Sequence, residues 1–168
     1  MKEKNLVFCE ITGVLTEKFI DSNDKEHIRD FDYIDESINN LKKLVEETNS
    51  LLVIVRLGRW ATTEEYNNSR VSRLEKDYKL HIDGFLDVSY DYQCEHHYSV
   101  YDEAPLVLMD KWICSNKVSI NKMAYIRQGG SSPRYNVLGN GVFTLSLSSK
   151  QGITKQCLRC IKQFLLEK

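Results

Sequence analysis

The chain has 168 residues, of which 42% are hydrophobic and 28% charged, with eight glycines, two prolines and a formal net charge of −1. This composition is typical of a folded domain and excludes intrinsic disorder, collagen-like repeats and low-complexity linkers, so we expect residues 1–168 to form a single domain. No uncharged apolar stretch approaches about 18 residues, the minimum for a membrane-spanning helix, and the N-terminus lacks a signal-peptide core, so we expect a cytoplasmic protein.

Short apolar runs alternate with segments of helical periodicity along the chain. In residues 35–48, for example, Ile38, Leu41 and Leu44 recur at helical spacing. In chain order, the predicted elements are a strand at 6–9, a helix at 35–48, a strand at 51–55, a helix at 63–78, a strand at 105–109, a helix after Ser115 or Asn116 that carries Val118, Ile120, Met123, Ala124 and Ile126, strands at 135–138 and 142–147, and a final helix capped by Thr154. This alternation predicts an α/β fold with a sheet covered by helices on both faces.

The first predicted strand ends in an acidic residue and enters a turn that contains glycine. The segment reads LVFCEITGVLT, with Glu10 at the strand end, followed by Gly13, Leu15 and Thr16. This pattern resembles the first motif of the haloacid dehalogenase (HAD) superfamily of phosphotransferases, an apolar strand followed by Asp-x-Asp-Gly-x-Leu-Thr. The resemblance implies a mainly parallel, Rossmann-like sheet without a large cap domain. In this chain Glu10 stands in place of the nucleophilic Asp, and Thr12 stands in place of the general acid/base.

The other motifs of that superfamily are matched by position only, and their side chains differ. Arg56 or Leu57 follows the second strand, where the family has a Ser or Thr that binds the phosphoryl group. Lys117 is the candidate for the family's lysine, which opens a helix before the last catalytic strand. Gly139 and Asn140 follow the strand at 135–138, where paired acids would hold magnesium. The resemblance thus implies a vestigial cleft formed by Glu10, Thr12, Arg56, Lys117 and Asn140.

These substitutions predict that the cleft does not catalyse phosphoryl transfer. Glu10 is one methylene longer than the family's nucleophile, and phosphoryl transfer tolerates little misplacement of the attacking atom. Asn140 supplies no negative charge for magnesium, which prefers carboxylate, carbonyl and water oxygens. We therefore expect an inactive domain without a cofactor or metal, in which Arg56 pairs with Glu10.

In two alternative interpretations, the cleft still binds a ligand. In the first, Arg56, Arg59 and Lys117 bind an anion without turning it over, because guanidinium groups suit phosphate oxygens. In the second, Glu10 is the nucleophile of a slow, magnesium-dependent phosphatase or phosphotransferase of the HAD type.

The charges are unevenly distributed along the chain. Residues 80–110 carry seven acids and neither Lys nor Arg, whereas residues 111–168 carry ten Lys and Arg against Glu167 alone. The basic residues are spread over several predicted elements and the net charge is slightly negative, so nucleic-acid binding is not favoured.

Tyrosines and acids alternate within the acidic part of the chain. Tyrosines offer large, stiff contact areas, and acids between them steer a cationic partner. The segment resembles the binding face of small cytosolic immunity proteins, which block a basic toxin, often a nuclease. The simpler interpretation is a tyrosine-rich loop over the sheet edge with solvated acids. The predicted contact residues are Asp87, Tyr90, Asp91, Tyr92, Glu95, Tyr98, Tyr101 and Asp102.

The five cysteines are an odd number without framework spacing, which favours reduced thiols. Cys157 and Cys160 have redox spacing, but the pair is predicted to lie inside a helix, whereas a redox motif opens one, so core cysteines are favoured. His96 and His97 are adjacent and would point to opposite sides of a strand, so no metal site is predicted.

Overall fold

The computed structural model describes residues 3–16, 19–20, 26–27, 33–57, 64–88, 103–129, 134–137, 141–147 and 151–167. The strands are β1 (Lys4–Glu10), β2 (Phe19–Ile20), β3 (Glu26–His27), β4 (Ser50–Leu57), β5 (Gly84–Val88), β6 (Ile120–Gln128), β7 (Arg134–Val137) and β8 (Val142–Leu147). The helices are α1 (Asp35–Thr48), α2 (Glu64–Tyr78), α3 (Glu103–Asn116) and α4 (Lys155–Leu166).

Six strands form one sheet in the order β5-β4-β1-β6-β8-β7, and β2 pairs with β3 separately. All neighbours in the large sheet are parallel except β7, which runs antiparallel to β8 at the edge. Counted along the chain, the five parallel strands therefore lie in the order third, second, first, fourth, fifth. This order is that of a Rossmann-like sheet, and it confirms the predicted mainly parallel α/β fold.

Helices cover both faces of this sheet, as predicted. On one face, α1, α2 and α4 bury side chains such as Leu41, Leu74 and Ile161 against the odd-numbered residues of β1. On the other face, α3 buries Met109 against Leu6 and Phe8. Within the described ranges these elements form no separate cap domain. Among the described helices, none has the length and apolar character needed to cross a membrane.

Most predicted elements are present in the structure. These are the strands at 6–9, 51–55, 135–138 and 142–147, the helices at 35–48 and 63–78, and the last helix. Thr154 caps that helix, since its hydroxyl oxygen accepts a hydrogen bond from the Cys157 backbone N–H at 3.3 Å.

Two predicted elements are wrong, and three described strands, β2, β3 and β5, were not predicted. Residues 105–109, predicted as a strand, lie in α3, where Pro105 occupies the first turn and needs no backbone donor. Residues 118–126, predicted to lie in a helix, mostly belong to β6, which is sandwiched between β1 and β8. The short edge strand β5 falls in the stretch that the sequence analysis treated as irregular.

The turn after β1 is held by its own backbone and by a serine of α1. The N–H groups of Val14, Leu15 and Thr16 all donate to the carbonyl of Ile11, at 3.3, 2.8 and 3.1 Å. The Ser37 hydroxyl donates to the carbonyl of Val14 at 2.6 Å.

The same hydroxyl ties the turn to the segment that precedes α4. The Ser37 hydroxyl oxygen accepts a hydrogen bond from the Ile153 N–H at 2.8 Å. Gly152, beside Ile153, has a φ of +59°, and a Cβ atom there would lie 2.7 Å from the Ser37 side chain. Ser37 thus joins the β1 turn, α1 and the start of α4.

Candidate functional site

The carboxyl ends of the parallel strands meet at one edge of the sheet. After β1 the chain adds β4 and β5 on one side of that strand, and it then adds β6 and β8 on the other side. The strand order therefore reverses between β1 and β6. In open α/β sheets, ligands bind outside the carboxyl ends of the strands at such a switch point. Glu10 ends β1 and Gln128 ends β6, so the predicted cleft residue Glu10 lies at this point.

Both carboxylate oxygens of Glu10 accept hydrogen bonds from β6. Oε1 accepts a short hydrogen bond from the Tyr125 hydroxyl, and Oε2 accepts one from the Gln128 backbone N–H at 2.8 Å. The Glu10 residue is only 5% exposed. The carboxylate therefore has two protein donors in place of water, as a buried charge requires.

Burial and the carboxylate keep the neighbouring acidic groups protonated. The pKa of Tyr125 is raised well above its usual value, first by burial and then by the charge and hydrogen bond of Glu10. The pKa of the Cys9 thiol is also raised, by burial and then by Glu10. Tyr125 therefore remains a hydrogen-bond donor to Glu10, and Cys9 remains a thiol rather than a nucleophilic thiolate.

The Gln128 side chain packs directly against the turn after β1. Gly13 has a φ of +74°, and a Cβ atom at this position would lie 2.5 Å from the Gln128 Cγ. Thr12 belongs to the same turn and is half-buried. The structure therefore places Glu10 and Thr12 at the same edge, as predicted, but a β6 side chain fills space beside them.

Arg56 does not pair with Glu10, because the two side chains lie on opposite faces of the sheet. Val55 of β4 is the register partner of Glu10, so the next residue along β4 points to the other face. There the Arg56 guanidinium forms a fork with Asp87 of β5, through a short contact from Nε and a 2.6 Å hydrogen bond from Nη2. Its Cζ also lies 4.7 Å from the Phe85 ring centroid. The predicted Glu10 pair is wrong, and the carboxylate of Asp87, a predicted partner contact, is bound by Arg56.

Lys117 lies at the opposite edge of the sheet from Glu10. It follows the last residue of α3 with a φ of +52°, so it ends a helix instead of opening one. It precedes β6, whose first residue, Ile120, pairs with Lys4 at the start of β1. Six residue steps at about 3.3 Å each place Glu10 about 20 Å away. Lys117 is therefore not a cleft residue and cannot share an anion with Arg56; Arg59 lies outside the described residues.

Asn140 lies outside the described residues, and the strand before it is not the one beside β1. That strand is β7, which is antiparallel and ends at the amino edge of the sheet. The strand beside β1 is β6, whose carboxyl end carries Arg127 and Gln128 in place of paired acids. Arg127 also lies near Tyr125, with its Cζ 5.9 Å from the ring centroid.

The sequence analysis missed Tyr125, Arg127 and Gln128 because it assigned their segment to a helix. Assignment to a strand would have placed Tyr125 and Arg127, two residues apart, on one face of the sheet. The Glu10 carboxylate accepts hydrogen bonds from a phenol and a backbone amide, and this set of donors does not fit magnesium, which needs several oxygen ligands. Among the described residues, no group of three or more His, Cys, Asp or Glu side chains could hold a metal ion.

The rest of the predicted partner-binding segment lies outside the described residues, namely Tyr90, Asp91, Tyr92, Glu95, Tyr98, Tyr101 and Asp102. Its flanks are described. β5 ends with Val88 at the carboxyl edge of the sheet, and α3 runs back from Glu103 towards the amino edge, where Trp112 would contact a Cβ on Gly84 at 2.7 Å. The segment thus connects two elements at the edge that holds Glu10.

Comparison with protein-family models and with curated proteins finds no match to this chain. The geometry of the carboxyl edge and the charge pattern of the sequence are therefore the features from which we infer function.

Proposed function

We propose that this chain is a catalytically inactive, HAD-like protein-binding module of the cytoplasm, an immunity-type inhibitor of a basic toxin or nuclease. The proposal that the chain is inactive is supported by the Glu10 carboxylate. Its two oxygens both accept hydrogen bonds from β6, and the residue is almost completely buried. A carboxylate that attacks phosphorus needs a lone pair free and in line with the phosphoryl group. The Glu10 carboxylate is therefore a structural group in this proposal and not a nucleophile.

The HAD-like part of the proposal is supported by the first motif and by its location. Glu10 ends the central parallel strand at the switch point of the sheet, where a phosphate-binding cleft would lie. Gly13 follows at the position where the turn requires a positive φ, and Leu15 is fully buried beneath it. The motif is therefore retained for its backbone shape and packing.

The binding part of the proposal is supported by charge. Residues 80–110 carry seven acids without Lys or Arg, and three of them, Asp91, Glu95 and Asp102, alternate with tyrosines in the segment between β5 and α3. Asp87 contributes little, because Arg56 already neutralises its carboxylate. We assign recognition of the basic partner to the remaining acids and tyrosines of the segment, with electrostatic steering by the acids.

Turnover of a generic aryl phosphate tests the proposal that the chain is catalytically inactive. With magnesium present, we expect no turnover above buffer by the wild type or by Glu10→Gln, with Glu46→Gln on the exposed face of α1 as the matched variant. Turnover by the wild type and Glu46→Gln that is lost in a folded Glu10→Gln protein would contradict the proposal and establish the slow magnesium-dependent phosphatase instead.

Charge reversal tests the binding part. The variant Asp91→Lys with Glu95→Lys removes the central acids, and Glu46→Lys with Glu75→Lys changes the net charge equally at exposed helix positions. With each protein as bait in a lysate of its native host, we expect the wild type and the helix variant to retain the same basic protein. The segment variant should bind that protein at least about tenfold more weakly and associate more slowly at low salt. Equal binding by all three proteins would exclude this segment as the interface.

A further inference from the structure

Two cysteines and a tyrosine meet where β7 passes α4, away from the Glu10 cleft. Cys157 and Cys160 are three residues apart on α4 and therefore share one helix face. The Tyr135 hydroxyl lies 3.9 Å from the Cys157 Sγ. The pKa of Tyr135 is raised, first by burial and then by its contacts with both thiols. The phenol thus contacts the Cys157 sulfur directly.

The pair lies in the first two turns of its helix. Thr154 is the N-cap, and Cys157 is the third helical residue. The Thr154 hydroxyl contacts the Cys157 Sγ at 3.2 Å and accepts a hydrogen bond from the backbone N–H of the same residue at 3.3 Å. The structure thus confirms the predicted location inside a helix, with Cys157 in the hydrophobic core, and the redox interpretation depends on the spacing and the unequal exposure of the two thiols.

The two thiols differ in their access to solvent. Cys157 is 1% exposed, whereas Cys160 is partly exposed at the surface of α4. Their Cα atoms, three helical residues apart, are about 5 Å from each other, within the span of a disulfide, about 4.4–6.8 Å. A small oxidant therefore reaches Cys160 first and finds a second thiol in position behind it.

We propose that Cys157 and Cys160 are a reversible dithiol pair, in which Cys160 reacts with hydrogen peroxide and Cys157 resolves the product. Peroxide oxidises the Cys160 Sγ to a sulfenic acid and leaves as water. The Cys157 Sγ then attacks that sulfur, forming the disulfide and expelling the sulfenic oxygen as a second water, which also takes up the thiol proton. Two glutathione thiols restore the pair and become glutathione disulfide. Tyr135 is a positioning residue that holds Cys157 through its hydroxyl.

Trypsin provides a direct test, because Arg159 separates the two cysteines. After treatment of the full chain with hydrogen peroxide and alkylation of the remaining thiols, we expect the peptides QCLR and CIK to be recovered linked by a disulfide. The intact, unreduced monomer should lose the mass of two hydrogen atoms, and glutathione should reverse the change. Cys114→Ser, which removes an exposed thiol elsewhere, should behave like the wild type, and Cys160→Ser should yield no linked peptide.

The role of Tyr135 has its own readout. Tyr135→Phe keeps the ring that packs on Phe143 and removes the hydroxyl, so we expect linkage to form about fivefold more slowly, the effect of one lost hydrogen bond. The proposal is overturned if the wild type accumulates sulfinic acid on Cys160 without linked peptides, or if Cys114 reacts while Cys157 and Cys160 remain reduced. The positioning role is overturned if Tyr135→Phe forms the linkage at the wild-type rate.

Discussion

Glu10 is a buried carboxylate whose two oxygens both accept hydrogen bonds from the neighbouring strand β6. A buried carboxylate is costly unless it is hydrogen-bonded, and β6 supplies both a phenol and a backbone amide. Tyr125 in turn cannot ionise without placing a second negative charge beside Glu10. The protonation states of the two groups are thus linked through one hydrogen bond.

This linkage predicts that the free energy of unfolding falls in alkali. Folding raises the pKa values of Cys9 and Tyr125 above their unfolded values, and it raises that of Tyr78 to about 12. The unfolded chain loses these protons from about pH 9–10 while the folded chain keeps them, so the stabilisation is complete below that range and declines above it. Each group lowers the free energy of unfolding by up to about 1.4 kcal/mol for each pH unit above that range. Urea unfolding followed from pH 8 to pH 11 measures this decline.

Two variants identify the source of the alkaline loss. Tyr125→Phe should be less stable at neutral pH by about 1–3 kcal/mol, because Glu10 loses a donor, but its stability should decline less steeply above pH 10. Val53→Ala, a buried and uncharged change on the same face of the sheet, should lower stability equally at every pH. A wild-type stability that stays constant up to pH 11 would contradict the argument.

At the scale of elements, the two errors of the sequence analysis have one physical cause. β6 lies between two parallel strands and under helices on both faces, so its apolar residues do not alternate with polar ones. An unbroken apolar run does not distinguish a central strand from a helix. In α3, the helical spacing of Leu106, Met109 and Trp112 is hidden by the apolar residues between them.

The cleft residues that depend on local sequence were predicted, and those that depend on the arrangement of the elements were not. Glu10 and Thr12 were placed correctly because β1 and its turn are local features of the sequence. Lys117 was misplaced because its helix ends there instead of beginning. Arg56 was misplaced because the face to which it points depends on the register between β1 and β4, which only the folded sheet determines.

The connection made by Ser37 gives a prediction for two glycines with positive φ. Gly152→Ala places a methyl group against Ser37 and within 2.8 Å of the carbonyl of Val14, whereas Gly141 at φ +80° faces open space. Gly141→Ala should cost only the backbone term of about 1–2 kcal/mol. Gly152→Ala adds a clash in a packed site and should cost roughly 3 kcal/mol or more in urea unfolding. Equal losses in the two variants would show that Ser37 is free to move aside.

At the scale of the whole molecule, the charge pattern of the chain becomes a spatial one. β5, which carries Asp87, lies on one side of β1, and residues 111–168, which carry ten Lys and Arg, supply β6, β7 and β8 on the other side. Arg56 binds Asp87, and Lys162 binds Glu47 at 2.8 Å and lowers the pKa of that carboxyl through the hydrogen bond. Arg56 and Glu47 belong to residues 1–79, so one pair joins that part of the chain to the acidic residues 80–110 and the other joins it to the basic residues 111–168. Under the proposed function, this separation of charge along the sheet is expected to orient a cationic partner before contact.

The position of β1 in the middle of the sheet also has a consequence for synthesis on the ribosome. Its neighbour on one side, β4, is translated soon afterwards, but its neighbour on the other side, β6, begins more than a hundred residues later at Ile120. Until then, one flank of a strand with an apolar centre, Leu6 to Cys9, has no hydrogen-bonding partner from the sheet, which is the condition that favours aggregation of nascent chains. We expect early termination products that end after β5 to depend on chaperones, and the finished chain to fold only when its last third has emerged.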